Sequence, residues 1–243
     1  MKWWQAPVLA VGAVFIAGGA VLIAYGHVRG LFYAPPEAMM GDVGRILYVH
    51  VPTAWAALVI LTAAFVAAIG TLWTSSYGWD AAVEALSEVG VVLTAMLLFQ
   101  GSLWAKPTWG VYWTWDPRLT TSAIMLVLFI GVLILRRVIV DPERRLTISA
   151  VAAIVAYVDV PVVYFAVKWW RTLHQPFSSP DTVSSGMVSP LRVAAFGMLF
   201  LSVGLAAARW RAIRAQLRVD ADAPELPDAP APLDLGATEA DHG

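Results

Sequence analysis

Residues 53–72 read TAWAALVILTAAFVAAIGTL. None of these side chains is charged, and the polar groups among them are three threonine hydroxyls and the Trp55 ring nitrogen. At about 1.5 Å per residue, a helix of this length covers roughly 30 Å, the thickness of the hydrocarbon layer of a bilayer. In hydrocarbon the backbone must bond within its own segment, so the stretch is a helix. Five more apolar runs flank it, at 8–25, 89–104, 119–135, 146–167 and 191–208. The run at 89–104 is short and gains length from a start near Ala81, which sets Glu84 and Glu88 near the membrane surface. The first run begins near Val8 behind Lys2, without a small-x-small cleavage signal, and reads as a retained span. Alternating, dyad-period strands are absent, which argues against a membrane barrel. The fold expected is all-α: a polytopic membrane protein with six transmembrane helices.

Composition agrees. Of 243 residues, 59% are hydrophobic and 14% charged, where a soluble domain carries about a quarter charged residues. The formal net charge of -1 hides an asymmetry. Residues 219–243 hold seven acids and no Lys or Arg, which leaves 16 basic and 10 acidic residues elsewhere. That stretch is rich in Ala, Pro and Asp and lacks aromatics, so it is expected to be a disordered acidic tail behind a membrane domain at 1–218. The chain has no cysteine, which excludes disulfides, thiolate metal sites and a CxxCH haem attachment site.

Asp116-Pro117, Asp141-Pro142 and Ser189-Pro190 each place a capping side chain before a proline, predicting the starts of spans four, five and six. Six spans put both chain ends on one side. That side holds nine Lys and Arg residues, including Arg136-Arg137, Arg144-Arg145 and the Arg209–Arg218 group, against seven opposite. The clusters place both ends in the cytoplasm. The outer side then carries loops at about 26–52, 105–118 and 168–190.

The second of these loops belongs to WAKPTWGVYWTWDPRLT, residues 104–120. An aromatic belt at the interface explains one or two Trp residues per helix end. It explains poorly Trp109, Tyr112, Trp113 and Trp115 within seven residues, beside Trp104. A short surface helix over 108–115 would set Trp109 beside Trp113 and Tyr112 beside Trp115. The platform so formed suits a large, flat, apolar ligand. His50, in YVHVPTAW, and His174, in KWWRTLHQP, fall on the same membrane face, each flanked by aromatics. Neutral imidazole is an axial ligand for haem iron, and two from separate loops can clamp one iron. Arg45, Lys106, Arg118, Lys168 and Arg171 are candidates for haem propionates, and equally for lipid head groups. His27 and His242 need no special role. Asp159 sits inside span five two residues before Pro161, where it either bonds backbone groups freed by the proline or serves function. No GxxxxGK[ST], nucleophile elbow or HExxH occurs, and the basic clusters sit at membrane ends, which gives nucleic-acid binding no support.

YVHVPTAW (48–55), WGVYWTWDPRLT (109–120) and KWWRTLHQP (168–176), with six spans and this length, are together similar to the haem-handling family marked by a tryptophan-rich outer loop. Within it they resemble the CcmC, or haem exporter protein C, family of bacterial cytochrome c maturation. The likeness covers roughly 8–208; Tyr112 and Pro117 depart from its usual Trp and small residue. It implies a non-enzymatic protein of the bacterial cytoplasmic (inner) membrane that binds haem b transiently, as cargo, at the periplasmic face. It also implies delivery to the haem chaperone CcmE, beside the ABC transporter subunits CcmA and CcmB and the small protein CcmD. By motif match His50 and His174 are the axial, metal-binding ligands. Trp104, Trp109, Tyr112, Trp113, Trp115, Asp116 and Arg118 are the other cofactor-binding positions. Two alternatives belong to other classes: a cytochrome c haem lyase, for which the chain lacks outer mass, and a permease subunit whose tryptophans are belts.

Overall fold

The computed structural model describes residues 5–174 and 184–222. Six of its helical segments are long and apolar enough to cross a membrane, and no strand occurs among the described residues. Helix α1 (Gln5–Val28) runs on into one π-helical turn, Arg29–Tyr33. A 3-10 turn, Asp42–Ile46, leads without a break into α2 (Leu47–Thr74). Then come α3 (Tyr77–Trp109), α4 (Pro117–Val138), α5 (Pro142–Tyr157), α6 (Asp159–Trp169) and α7 (Ser185–Asp222), with α5 and α6 sharing the fifth span. The upper face of the bundle holds residues 34–46, 110–116 and 170–174. The lower face holds both described ends.

Most of the span signals translate directly. Asp116 and Asp141 are N-caps, their carboxylates accepting from the backbone N–H groups of Arg118 and Arg144. The third apolar run does start earlier, as its shortness implied: 89–104 is the upper part of a 33-residue helix that begins at Tyr77. Ser76 caps its lower end, and Glu84 and Glu88 lie within it. The third predicted cap fails. Helix α7 begins at Ser185 and Pro190 lies inside it. The lost N–H belongs to the second turn, where the only missing bond is to the Gly186 carbonyl, so the helix passes through. At its other end α7 reaches Asp222, four residues into the stretch expected to be a tail from 219; 223–243 lie outside the described residues.

The surface helix expected over 108–115 is absent. Helix α3 instead continues through Pro107 to Trp109 and stops at Gly110, whose φ of 80° is left-handed and whose N–H returns to the Lys106 carbonyl. Residues 111–116 are non-helical. Fifty residues on, the fifth span breaks at Val158, whose N–H bonds back to Val155. Pro161 has no N–H for the Tyr157 carbonyl, which accounts for the break.

One core lies between α2, α3, α4, α5 and α6, built on Leu61, Val83, Met125, Phe129 and Ala153. Helix α7 packs against α2 and α3, and α1 lies along α7. At the lower face the Arg136 guanidinium is buried and binds both Asp80 oxygens, at 2.6 and 2.9 Å, and Glu84 at 2.9 Å. Arg209 holds Glu88 at 2.5 Å. Asp80, Glu84 and Glu88, one turn apart on α3, thus tie α4 and α7 to it. Arg136, counted above for the orientation of the spans, is neutralised inside the bundle.

Candidate functional site

His50 is set by a helix, not by the loop the sequence suggested. It occupies the first turn of α2, is 8% exposed, and faces α3. The helix starts before the YVHVP motif because Pro52, in its second turn, costs it one bond only, to the Tyr48 carbonyl. Beside His50 stands Gly101: a methyl group there would lie 3.1 Å from the His50 Cε1. Trp104, one helical turn on, meets His50 edge-to-face at 5.5 Å between ring centres.

His174 arrives from the far side, just past α6, at the end of a short non-helical segment. Asp116 anchors that segment. One carboxylate oxygen caps α4; the other accepts from Thr172 Oγ1 at 2.5 Å and from the Leu173 N–H at 2.7 Å. Thr172 Oγ1 in turn accepts from the His174 N–H at 3.0 Å. Asp116 is 6% exposed and lies behind the site, not in it. The outcome is a pair: the rings of His50 and His174 have centres 6.3 Å apart and planes inclined by 34°.

Beneath the pair opens a cleft of about 120 Å³, partly open to the outside. Its walls include both histidines, Trp55, Trp104, Trp109 and Arg118. Five of the sequence-predicted positions, His50, His174, Trp104, Trp109 and Arg118, therefore meet at one place. Tyr112, Trp113 and Trp115 do not line it. Trp113 and Trp115 pack edge-to-face at 5.9 Å on the outside, Trp115 82% exposed, and Tyr112 lies under the Lys106 ammonium. Lys106 is also spent on the Gly110 carbonyl, and Arg45 on Asp42 and the carbonyls of Gly30 and Ala34. Sequence reasoning missed Gly101, Trp55 and Thr172. Trp55 and Thr172 lie inside the quoted motifs, while a lone helical glycine carries no signal of its own.

The donor set limits what the cleft can hold. Among the described residues no three His, Asp or Glu side chains group as a metal cage. Two imidazoles alone suit a metal that brings its other ligands with it, as a porphyrin does. Two metal–nitrogen bonds of about 2 Å, plus roughly 1 Å from each nitrogen to its ring centre, set such ring centres about 6 Å apart. The observed 6.3 Å matches. Buried polar atoms around the site also lack protein partners: His50 Nδ1 and Trp104 Nε1. The Arg118 guanidinium supplies a cation for an acidic edge.

The sequence profile of the family described as Heme exporter protein C matches residues 3–224. The chain belongs to the Heme exporter protein C family. The Heme exporter protein C of Escherichia coli K12 is 34% identical over 210 residues, covering 86% of this chain and 83% of the relative. That of Bradyrhizobium diazoefficiens is 34% identical over 209 residues, covering 83% and 79%. A putative cytochrome c biosynthesis ccmC-like mitochondrial protein of Marchantia polymorpha is 31% identical over 161 residues, 66% and 68% of the two chains. In this Heme exporter protein C family member the matched span takes in all six membrane helices and the whole cleft, and stops two residues past α7.

Proposed function

We propose that this chain binds haem b as transient cargo at the periplasmic face of the bacterial cytoplasmic membrane and delivers it to the chaperone CcmE during cytochrome c maturation. It works without catalysing a reaction, beside the ABC transporter subunits CcmA and CcmB and the small protein CcmD. The observation that carries this reading is the His50–His174 pair, 6.3 Å between ring centres above an apolar cleft. His50 comes from a rigid helix and His174 from a tethered segment, so one ligand is fixed and the other is held by hydrogen bonds that can be exchanged. Trp104 and Trp109 offer faces to an apolar ring edge, and Arg118 a charge to a propionate. Trp115, exposed beside the cleft, and the half-buried Trp113 packed against it would serve hand-over to a partner. The names of the relatives, which speak of haem export and cytochrome c biosynthesis, agree with this.

The experiment is an absorption spectrum of the purified protein with haem, for the natural chain and for His50→Ala and His174→Ala. The natural chain is expected to show six-coordinate, two-imidazole iron. Each variant should lose that signature and bind haem at least about tenfold more weakly, the equivalent of about 1.4 kcal/mol. Unchanged spectra in both variants would remove the site and favour a permease role.

A further inference from the structure

A second concavity lies in the lower half of the bundle, far from the histidines, between α2, α3 and α7. Its volume is about 630 Å³, and it opens to the side of the bundle. Small side chains make its floor: Ala63 from α2, Ala82 and Ala85 from α3, Ala206 and Ala207 from α7. Its one charged lining residue is Arg214, at the lower end. Along α7 it extends from Val203 to Arg214, about 16 Å at the helical rise and close to half of a roughly 30 Å hydrocarbon layer.

Charge decides what fits. The carboxylates nearby are consumed: Glu88 by Arg209, and Asp80 and Glu84 by Arg136. Arg214 itself lies over the Trp210 ring, 5.2 Å from its centre, and no carboxylate among the described residues pairs with it. Trp210 is fixed in turn by its indole N–H, which donates to the Gly78 carbonyl at 2.8 Å. The groove is thus apolar for the depth of one leaflet and cationic where head groups lie. Basic pockets between membrane helices bind anionic head groups in this way.

We propose that this groove is a binding site for an anionic phospholipid, its acyl chain along the alanine floor and its phosphate on Arg214. Such a lipid fills a space that would otherwise leave the α2–α3–α7 contact incomplete, in the leaflet opposite the histidine cleft.

The test is native mass spectrometry of the full chain released from nanodiscs of mixed phosphatidylcholine and phosphatidylglycerol. The natural chain should retain one phosphatidylglycerol in preference to phosphatidylcholine. Arg214→Gln should lose about fivefold of that preference, and Arg214→Lys should keep most of it. Ala207→Phe, which fills the groove, should lose both lipids. The haem spectrum, read at the other end of the molecule, should be unchanged in all three, which separates misfolding from loss of the site. Equal retention of the two lipids by the natural chain, or full preference in Arg214→Gln, would overturn the proposal. So would a co-purifying polypeptide that shields Ala207 from lipid in the intact membrane.

Discussion

Asp116 does two jobs with two oxygens, and they can be separated. Its Oδ1 caps α4 and its Oδ2 holds Thr172 and Leu173, and through them His174. Asparagine is as good a cap as aspartate. Its amide nitrogen, however, cannot accept from a hydroxyl or an N–H. Asp116→Asn should therefore leave α4 and protein yield intact while releasing the His174 segment, at a cost of about 2 kcal/mol in local order. The haem spectrum should shift towards that of His174→Ala, and added imidazole should restore it. A natural spectrum in Asp116→Asn would instead assign Asp116 to partner contact. This role shows how far the site was legible in sequence. The histidines and Arg118 stand out because their chemistry is unusual beside a membrane span. The Asp116–Thr172 bond links positions 56 apart in a way that no local pattern records. Gly101 was silent for a related reason: its value lies in what it leaves room for, the His50 ring 3.1 Å from where a methyl group would be. The tryptophans were legible as a cluster, but a turn at Gly110 splits them between cleft and surface.

The helices repeat this contrast between what hydropathy reveals and what contact decides. Each apolar run became a span, since lipid leaves the backbone no other choice. Their ends did not follow the runs, because local caps at Ser76 and Gly110 set the ends of α3, and Arg45 ties the turn before α2 to the distant carbonyls of Gly30 and Ala34. Pro190 read as a boundary, yet it, Pro52 and Pro107 each lie inside a helix, near an end, where one lost bond is tolerated. The pairing of α1 with α7 rests on a device equally hidden in composition. Gly12, Gly19 and Gly26 recur every seven residues on α1, and Gly197 and Gly204 do so on α7. A Cβ at Gly26 would lie 2.7 Å from the Ala194 nitrogen, and one at Gly19 would lie 2.8 Å from the Gly197 carbonyl oxygen. Backbones meet there, as in small-residue membrane interfaces. Gly19→Val should cost about 3 kcal/mol, since neither backbone can retreat without parting the helices. Thermal unfolding of the purified protein should fall accordingly, while Gly18→Val, at a position with nothing within 4 Å, should not change it.

At the scale of the whole molecule the two faces differ in kind, and that difference bears on orientation. The upper face is built to meet something: an open cleft, exposed Trp115, and loops held by a few hydrogen bonds. The lower face is closed by ion pairs. Arg136→Gln would leave Asp80, 2% exposed, without its cation, at a cost of about 3–5 kcal/mol. The double variant Arg136→Met with Asp80→Leu should recover much of that loss, as a melting curve would show. Burial of Arg136 weakens one count used for orientation, but Arg137, Arg144, Arg211, Arg214 and Arg218 remain at the lower face, where the positive-inside bias places the cytoplasm. The proposed haem hand-over at the upper face requires that face to be periplasmic. The absence of cysteine makes the question directly testable, because any thiol introduced is the only one. Met39 in the first upper loop is 93% exposed, Val111 in the second is 44% exposed, and Val140 in the lower turn between α4 and α5 is 89% exposed. In intact spheroplasts a membrane-impermeant maleimide should label Met39→Cys and Val111→Cys, and should reach Val140→Cys only after permeabilisation. Labelling of Val140→Cys alone in sealed cells would invert the molecule and leave the histidine cleft facing the cytoplasm, where it could not serve a periplasmic acceptor.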